Sequence, residues 1–378
     1  MGWVWLSIPN SRQSVVSVEQ LRQAIAEQLG QESIRALIGQ QLSNKKAQTS
    51  ASEPISIIVC TRDRTAQLAD CLQTLLALDY LTYEIIVVDN APSNNDTARL
   101  AATLPVRYVR EERPGLDWAR NRGIAEARSD IVAFTDDDAR VDRFWLQAIA
   151  RAFAESEAMA VTGLVAPAEL ETTAQMLFEF DYGGMGHGFC RRIISRDRLP
   201  EGHLLWASGF GVGVNMAFRR ELFNKIGTFD VALDVGTPSR GCGDVEMFHR
   251  VVAQGYTLIY EPAMLVWHTH RRNISALRRQ LYDNGCSFGV YLMTCAKNRS
   301  VRLSSIVRFA LYDWLCGWIL RRLVCPDKKF PRYLVIPELL GMLQSPLAYR
   351  ATQARAKQVA ATYQNLETEK PLTQEAVS

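Results

Sequence analysis

The pattern of apolar and polar positions changes character near residue 54. Before it, "SVEQLRQAIAEQLG" and "ESIRALIGQQL" repeat apolar residues at helical spacing. A serine cap opens the first and Gly30 closes it, so helix is predicted over 11–47. "SNKKAQTSASEP" (43–54) is a polar linker. From Ile55 short, uninterrupted apolar runs take over. "ISIIVC" (55–60), "YEIIVVD" (83–89), "PVRYVRE" and "DIVAFT" are short and rich in β-branched residues, the pattern of strands covered on both faces. Between them "RTAQLADCLQTLLAL", "LDWARNRGIAEAR" and "RFWLQAIARAFAES" return to helical spacing.

This alternation predicts an α/β fold, a doubly wound, mostly parallel sheet flanked by helices. "AMAVTGLVAP", "NMAFRRELFNKIG", "GDVEMFHRVVAQG" and "YTLIYEPAMLVWHTHR" add strand, strand–helix, helix and last strands. Residues 168–205 break the pattern with "DYGGMGHGF" and read as an irregular, substrate-side insertion. After residue 271 the chain turns helical and basic. Three parts follow: an N-terminal helical segment (1–50), a catalytic α/β domain (51–272) and a C-terminal helical region (273–378).

Composition sharpens this picture at three points. With 48% hydrophobic and 22% charged residues over 378 positions, the chain is globular rather than disordered. Its eight cysteines include no C-x-x-C pair, which fits reduced cytosolic thiols and speaks against a zinc finger or a disulfide framework. "MGWVWLSIPNS" lacks a basic n-region, so no cleavable signal is expected, and Leu6 stands where a myristoylation motif needs Ser or Thr. The net charge of +3 conceals a polarity: from Arg271 to Lys357 sixteen Lys/Arg face four acids, a local +12 against −9 elsewhere. Such a basic region suits an anionic surface.

The candidate chemistry sits at strand ends, where open parallel sheets bind ligands. Thr61 and Arg62 follow the first strand, Asp89 ends the second, and Asp136, Asp137 and Asp138 follow "DIVAFT". Three adjacent acids can start a helix as a solvated turn, serve as a phosphatase-type nucleophile, or hold a hard divalent cation. Asp244 and Glu246 begin a helix but do not share its face, so one can act as a general base while the other bonds structural groups. His268 and His270, at i and i+2 of an extended segment beside Arg271 and Arg272, suit a metal-plus-phosphate role. Arg120 lies on the helix of "RPGLDWARNRG", where arginine matches phosphate geometry.

Taken in order, "ISIIVCTRDRTAQLADCLQTLL", "YEIIVVDNAPSNNDT", "RPGLDWARNRGIAEARSDIVAFTDDD", "NMAFRRELFNKIGTFD", "GCGDVEMFHRV" and "VWHTHRR" resemble the family-two glycosyltransferases of the GT-A fold, over residues 54–272. The resemblance implies a nucleotide-diphosphate sugar donor, a divalent metal (Mn²⁺ or Mg²⁺) and inverting transfer to an acceptor hydroxyl of a saccharide, lipid or other cell-envelope precursor. It also implies roles for single residues. Thr61, Arg62 and Asp89 border the nucleotide, and Arg120 lies near the donor. Asp138 is a metal ligand, with Asp136 or Asp137 near the ribose. Asp244 is the base and His268 completes the metal site, leaving Glu246 and His270 to acceptor-side or secondary roles. One departure stands out: the family often shows Glu-Asp at the base, whereas Gly243 precedes Asp244 here.

Two other functions compete with this reading. A sugar nucleotidyltransferase would open with a Gly-rich phosphate loop, and "VCTRDRT" has no glycine. A non-catalytic nucleotide-sugar or saccharide-binding protein would not need Asp136, Asp138, Asp244 and His268 together. For the basic tail, "RLSSIVRFALYDWLCGWILRRLVC" (302–325) is interrupted by Arg308 and Asp313, and Trp314 and Trp318 lie near Arg321 and Arg322. These features suit a helix in the membrane interface better than a spanning one, with a helix packed on the catalytic domain, Trp in its core, as the close alternative. The expected setting is cytoplasmic and peripheral, at the inner face of the cell membrane, with an anionic membrane surface as partner and no nucleic acid.

Overall fold

The computed structural model describes residues 53–324 and 330–369, together with Ser17, Gln20 and Gln23. Apart from those three positions, the helices expected over 11–47 lie outside the described residues. Residues from Glu53 onward form one unit, and the basic C-terminal helices belong to it with the sheet.

The predicted apolar runs become β1 (Ile55–Thr61), β2 (Tyr83–Asn90), β3 (Arg107–Glu111) and β4 (Ile131–Asp136). Helices α1 (Thr65–Leu76), α2 (Asp96–Ala101) and α3 (Leu116–Glu126) link them, so the four strands run parallel. Their alternation of side-chain direction feeds two cores. Ile58, Ile86, Val88, Val132 and Phe134 enter one, while Ile57, Val59, Ile85, Val87 and Ala133 enter the other. Both faces are buried, which is why these strands read as unbroken apolar runs.

The sheet continues through β5 (Ala139–Val141), β6 (Ala160–Pro167), β7 (Arg192–Ile194), β8 (Met216–Arg219) and β9 (Leu258–His268), with α4 (Trp145–Ala154) between β5 and β6. Its order is β3-β2-β1-β4-β8-β6-β9-β5, with β7 paired to β9. β8 runs antiparallel between β4 and β6, making the sheet mixed and mostly parallel. "YTLIYEPAMLVWH" forms one long strand, β9, rather than several. A bulge between Gly163 and Leu164 interrupts its pairing with β6, and buried Asn215 secures the place. The Asn215 amide donates to the carbonyls of Leu164 (2.9 Å) and Met264 (2.7 Å), and its oxygen accepts from Trp145 Nε1 at 2.9 Å.

The insertion holds α5 (Thr173–Met176), which continues as a wider helical turn over Leu177–Tyr182. α6 (Glu221–Ile226) and α7 (Gly243–Ala253) follow β8. Two long helices, α8 (Ile274–Lys297) and, after α9, α10 (Arg332–Glu369), then pack side by side. They approach at small residues. A Cβ on Gly285 would lie 1.9 Å from the Glu338 carbonyl, and one on Gly341 would lie 2.0 Å from that of Tyr282.

α9 starts at Leu303–Arg308 and widens over Phe309–Leu320 before closing at Val324. It corrects the expectation that Trp314 and Trp318 lie in a membrane interface. Trp314 is buried, and the Trp318 indole donates inward to Glu338 Oε1 at 2.9 Å. The outward face carries Leu303, Val307, Leu311, Tyr312, Leu320 and Val324 instead.

A candidate active site at the strand ends

Register brings the strand ends into one row. Thr61 pairs with Asp89 across β1 and β2, and Cys60 pairs with Asp136 across β1 and β4. Beyond Asp136 the chain turns at once into β5, whose Ala139 pairs with His268 of β9. That hairpin-like return separates three neighbouring aspartates by direction. Asp136, Asp138 and His268 each offer a ligand atom within 4.8 Å of the others. Asp137 is buried and points back towards β1, where it accepts from Thr61 Oγ1 at 2.7 Å and pairs with Arg64 Nη1 at 2.8 Å.

Asp137 and Thr61 thus hold each other through their polar groups. Arg62 is exposed beside the site. Arg64, which the sequence reasoning missed, is the cation of this corner, its Nη2 lying 2.6 Å from Asp138 Oδ2. Asp89 is fully buried. Tyr108 donates to its Oδ2 at 2.9 Å, while its Oδ1 is buried with no partner among the described residues. Burial raises its pKa.

The carboxylates differ in charge state for physical reasons. Burial, with Asp138 and Asp137 close by, pushes Asp136 up to about 7 despite Arg120. Burial likewise raises Asp137 to about 6, against its bonds to Thr61 and Arg64. For Asp138, His268 and Arg64 outweigh burial and hold the carboxyl below the usual range. Burial lowers His268 to about 4, so its imidazole is neutral at neutral pH, with Nδ1 buried and unpartnered. Two carboxylates and a neutral imidazole are a donor set that fits a divalent cation such as Mn²⁺ or Mg²⁺. The Arg64 guanidinium already shows that this place favours positive charge.

A second cluster lies one strand away, around Arg120. Its Nη1 donates to Asp117 Oδ1 at 2.9 Å and to Asp234 Oδ2, all three side chains being buried. Asp244 sits beside them at the start of α7. Its Oδ2 accepts from the Gly213 amide at 2.6 Å and its Oδ1 from Val245 N at 2.8 Å. Burial and the nearby Asp234 raise its pKa, partly offset by Arg120. The family's missing Glu also has a physical explanation. A Cβ at Gly243 would lie 2.2 Å from Asp117 Oδ2 and 2.7 Å from Asp234 Oδ2, so these two carboxylates fill the space. Asp117 and Asp234 escaped the sequence reading; the backbone of Asp234 is left-handed (φ 73°), a feature only the structure reveals.

Glu246 and His270 each bond to another side chain of the protein. Glu246 turns away from the cleft and clamps Arg250 (2.5 Å), which in turn donates to the carbonyls of Ile226 and Thr228. His270 lies beyond the end of β9, where strand alternation no longer applies. Its Nε2 meets Glu179 at 2.9 Å, and its ring centroid lies 6.0 Å from that of His268.

Asp136, Arg120, Asp234 and Asp244 share one cavity of about 640 Å³. Its opposite wall is aromatic, with Phe178, Tyr182, Trp206, Phe288, Trp314 and Trp318 contributed by the insertion and the C-terminal helices. A polar row of titratable groups therefore faces an apolar wall across a space large enough for a small-molecule headgroup.

Residues 56–227, just under half of the chain, match the model of Glycosyl transferase family 2, and this match together with glycosyltransferase relatives supports a family 2 glycosyltransferase. Among curated relatives, it is 24% identical over 275 residues to Glycosyltransferase AglE of Haloferax volcanii, covering 71% of this chain and 81% of that one. It is 22% identical over 184 residues to the glucosyl-dolichyl phosphate glucuronosyltransferase of the same organism, 47% of this chain and 56% of the other. Among solved structures, the mannosyltransferase PcManGT from Pyrobaculum calidifontis, in complex with GDP-Man and Mn²⁺, superposes with a TM-score of 0.47 at 19% identity, over 92% of this chain and 93% of that one.

Proposed function

We propose that this chain is a metal-dependent, inverting glycosyltransferase that moves a sugar from a nucleotide-diphosphate donor to an acceptor hydroxyl. The observation that carries the reading is the placement of Asp244 in the same cavity as Asp136, with Arg120 between the two clusters. Asp89, with one free oxygen, accepts from the donor's base, and Asp136 and Asp138 with His268 hold the cation. A divalent cation bound there supplies positive charge to the departing diphosphate.

The chain's own groups perform the remaining steps. Asp244, its oxygens oriented by Gly213 N–H and Val245 N–H, removes the proton of the acceptor hydroxyl. A carboxylate of raised pKa is a stronger base, and Asp234 and burial provide that shift. Arg120 opposes that shift. The acceptor oxygen then bonds to the anomeric carbon as the bond to the diphosphate breaks, a single displacement that inverts configuration. No enzyme nucleophile is required.

The excess of basic residues after residue 273 supports a peripheral position on an anionic membrane surface, on the cytoplasmic side. Leu303–Val324 is long and apolar enough to cross a membrane, but its inward face packs on the domain through Phe309, Trp314 and Ile319.

Replacing the base separates chemistry from binding. Asp244→Asn is expected to lower transfer by a factor of about 10³ or more while leaving cation-dependent binding of the nucleotide sugar intact. Asp138→Ala is expected to weaken Mn²⁺ binding by a factor of about 100, read by electron paramagnetic resonance of free Mn²⁺. Transfer surviving in Asp244→Asn removes the base assignment, and unchanged Mn²⁺ affinity in Asp138→Ala removes the metal assignment.

A further inference from the structure

The wall facing Asp244 is more apolar than a soluble saccharide requires. Trp206 stacks on Phe288 with centroids 5.5 Å apart, meets Phe309 edge-on at 5.1 Å, and lies 5.9 Å from Trp318. Polar groups are not absent from the cavity, since Ser208, Gln280, Asn284 and Ser287 also line it. Arg240, His187 and Glu338 line it too. The aromatic groups continue outward.

That continuation is a second hollow, of about 370 Å³, lined by Trp206, Trp318, Gly317, Asp313 and Tyr312. Trp206 and Trp318 belong to the walls of both spaces. Tyr312 is 68% exposed and lies on the outer face of α9, next to Leu311. α10 also exposes apolar residues, Ile336, Leu340, Leu343 and Leu347, at spacings of four, three and four residues. Exposed arginines flank the two apolar sets at 302, 308, 332 and 350. An apolar stripe edged by basic residues is complementary to the surface of an anionic bilayer.

We propose that the acceptor is lipid-linked: its hydroxylated headgroup lies between Asp244 and the aromatic wall, and its hydrocarbon chain leaves past Trp206, Trp318 and Tyr312 to the apolar face of α9 and α10. This rests on Asp244 acting as the base. In the transfer, Asp244 takes the proton of the headgroup hydroxyl and that oxygen bonds to the anomeric carbon. The donor's anomeric C–O bond breaks, its electron pair leaving with the diphosphate. Holding the chain in the hollow fixes the headgroup at the base, and the membrane supplies the acceptor laterally.

The test uses the full chain and dodecyl maltoside with a brominated tail, kept below its micellar concentration. Binding is read as quenching of tryptophan emission. The expected result is saturable quenching that unbrominated dodecyl maltoside reverses and maltose does not. Tyr312→Asp, an exposed substitution at the rim of the hollow, should raise the half-saturation concentration at least about tenfold, a change of about 1.4 kcal/mol. Leu81→Asp, at a position 91% exposed before β2, should leave it unchanged. Asp244→Asn should also bind the probe normally. Equal half-saturation in Tyr312→Asp and the unaltered chain, or displacement by maltose as effective as by dodecyl maltoside, overturns the lipid-linked acceptor. Either result leaves the glycosyl-transfer reading standing, because that reading fails only if Asp244→Asn retains transfer.

Discussion

Asp136 and Asp137 are neighbours in sequence and opposites in role, because strand geometry sends them to different sides of the sheet edge. Asp136 faces the cavity and the cation corner, whereas Asp137 is tied to Thr61 and Arg64. Their elevated pKa values give the difference a measurable form. With a folded-state value of about 7 against an ordinary 3.8, Asp136 contributes stability that is full below the unfolded value and lost as pH rises through 7. His187, His249 and His268, each lowered to about 4, act in the opposite sense below pH 6.5. The informative comparison is therefore with Asp136→Asn. In the metal-free protein its thermal midpoint should gain on the unaltered chain by a few degrees between pH 5 and 8, and Mn²⁺ should reverse that gain. A difference independent of pH would show that Asp136 is not the titrating group. The presence of an acidic site was legible in the sequence, since three adjacent acids after an apolar run have little structural use. The division of labour was not, because it depends on a turn immediately after Asp136 and on the distant Arg64.

At the scale of elements, strands read more faithfully than the segments between them. β1, β2 and β4 are buried on both faces, so their apolar runs left one interpretation. The insertion after β6 and the helices after β9 are half-buried, and there the same apolar residue can face protein or surroundings. Trp314 and Trp318 show the cost of that ambiguity: sequence placed them outward, and packing against Phe309, Trp206 and Glu338 turns them in. Asn215 makes the complementary point, as a polar residue whose importance no periodicity reveals. It joins β6, β9 and α4 across the bulge at Gly163. Asn215→Ala leaves two buried carbonyls and an indole N–H without these partners, and unfolding measured in urea should show a loss of about 3 kcal/mol or more. A loss below about 1 kcal/mol would mean that the bulge is held by something else.

For the whole molecule, the same mixed sheet presents a titratable row on one side of a cavity and receives an aromatic wall from the C-terminal helices on the other. Of the residues that the family resemblance singles out, Arg120, Asp136 and Asp244 line that cavity, whereas Asp138 lines another. The wall lay beyond the reach of sequence, because it joins residues 178 to 338 across separate elements. The roles proposed above define one chemical course: an acceptor deprotonated by Asp244 would attack opposite the departing diphosphate, with no covalent intermediate. Water can take the acceptor's place, so the course can be read without knowing the acceptor. The nucleotide sugar that most stabilises the protein against heat in the presence of Mn²⁺ is incubated with it, and the released sugar is followed by proton NMR before its anomers equilibrate. The first-formed anomer should have the configuration opposite to that of the donor, and it should be lost in Asp244→Asn. Release of the donor's own configuration would contradict the single displacement on which this account rests.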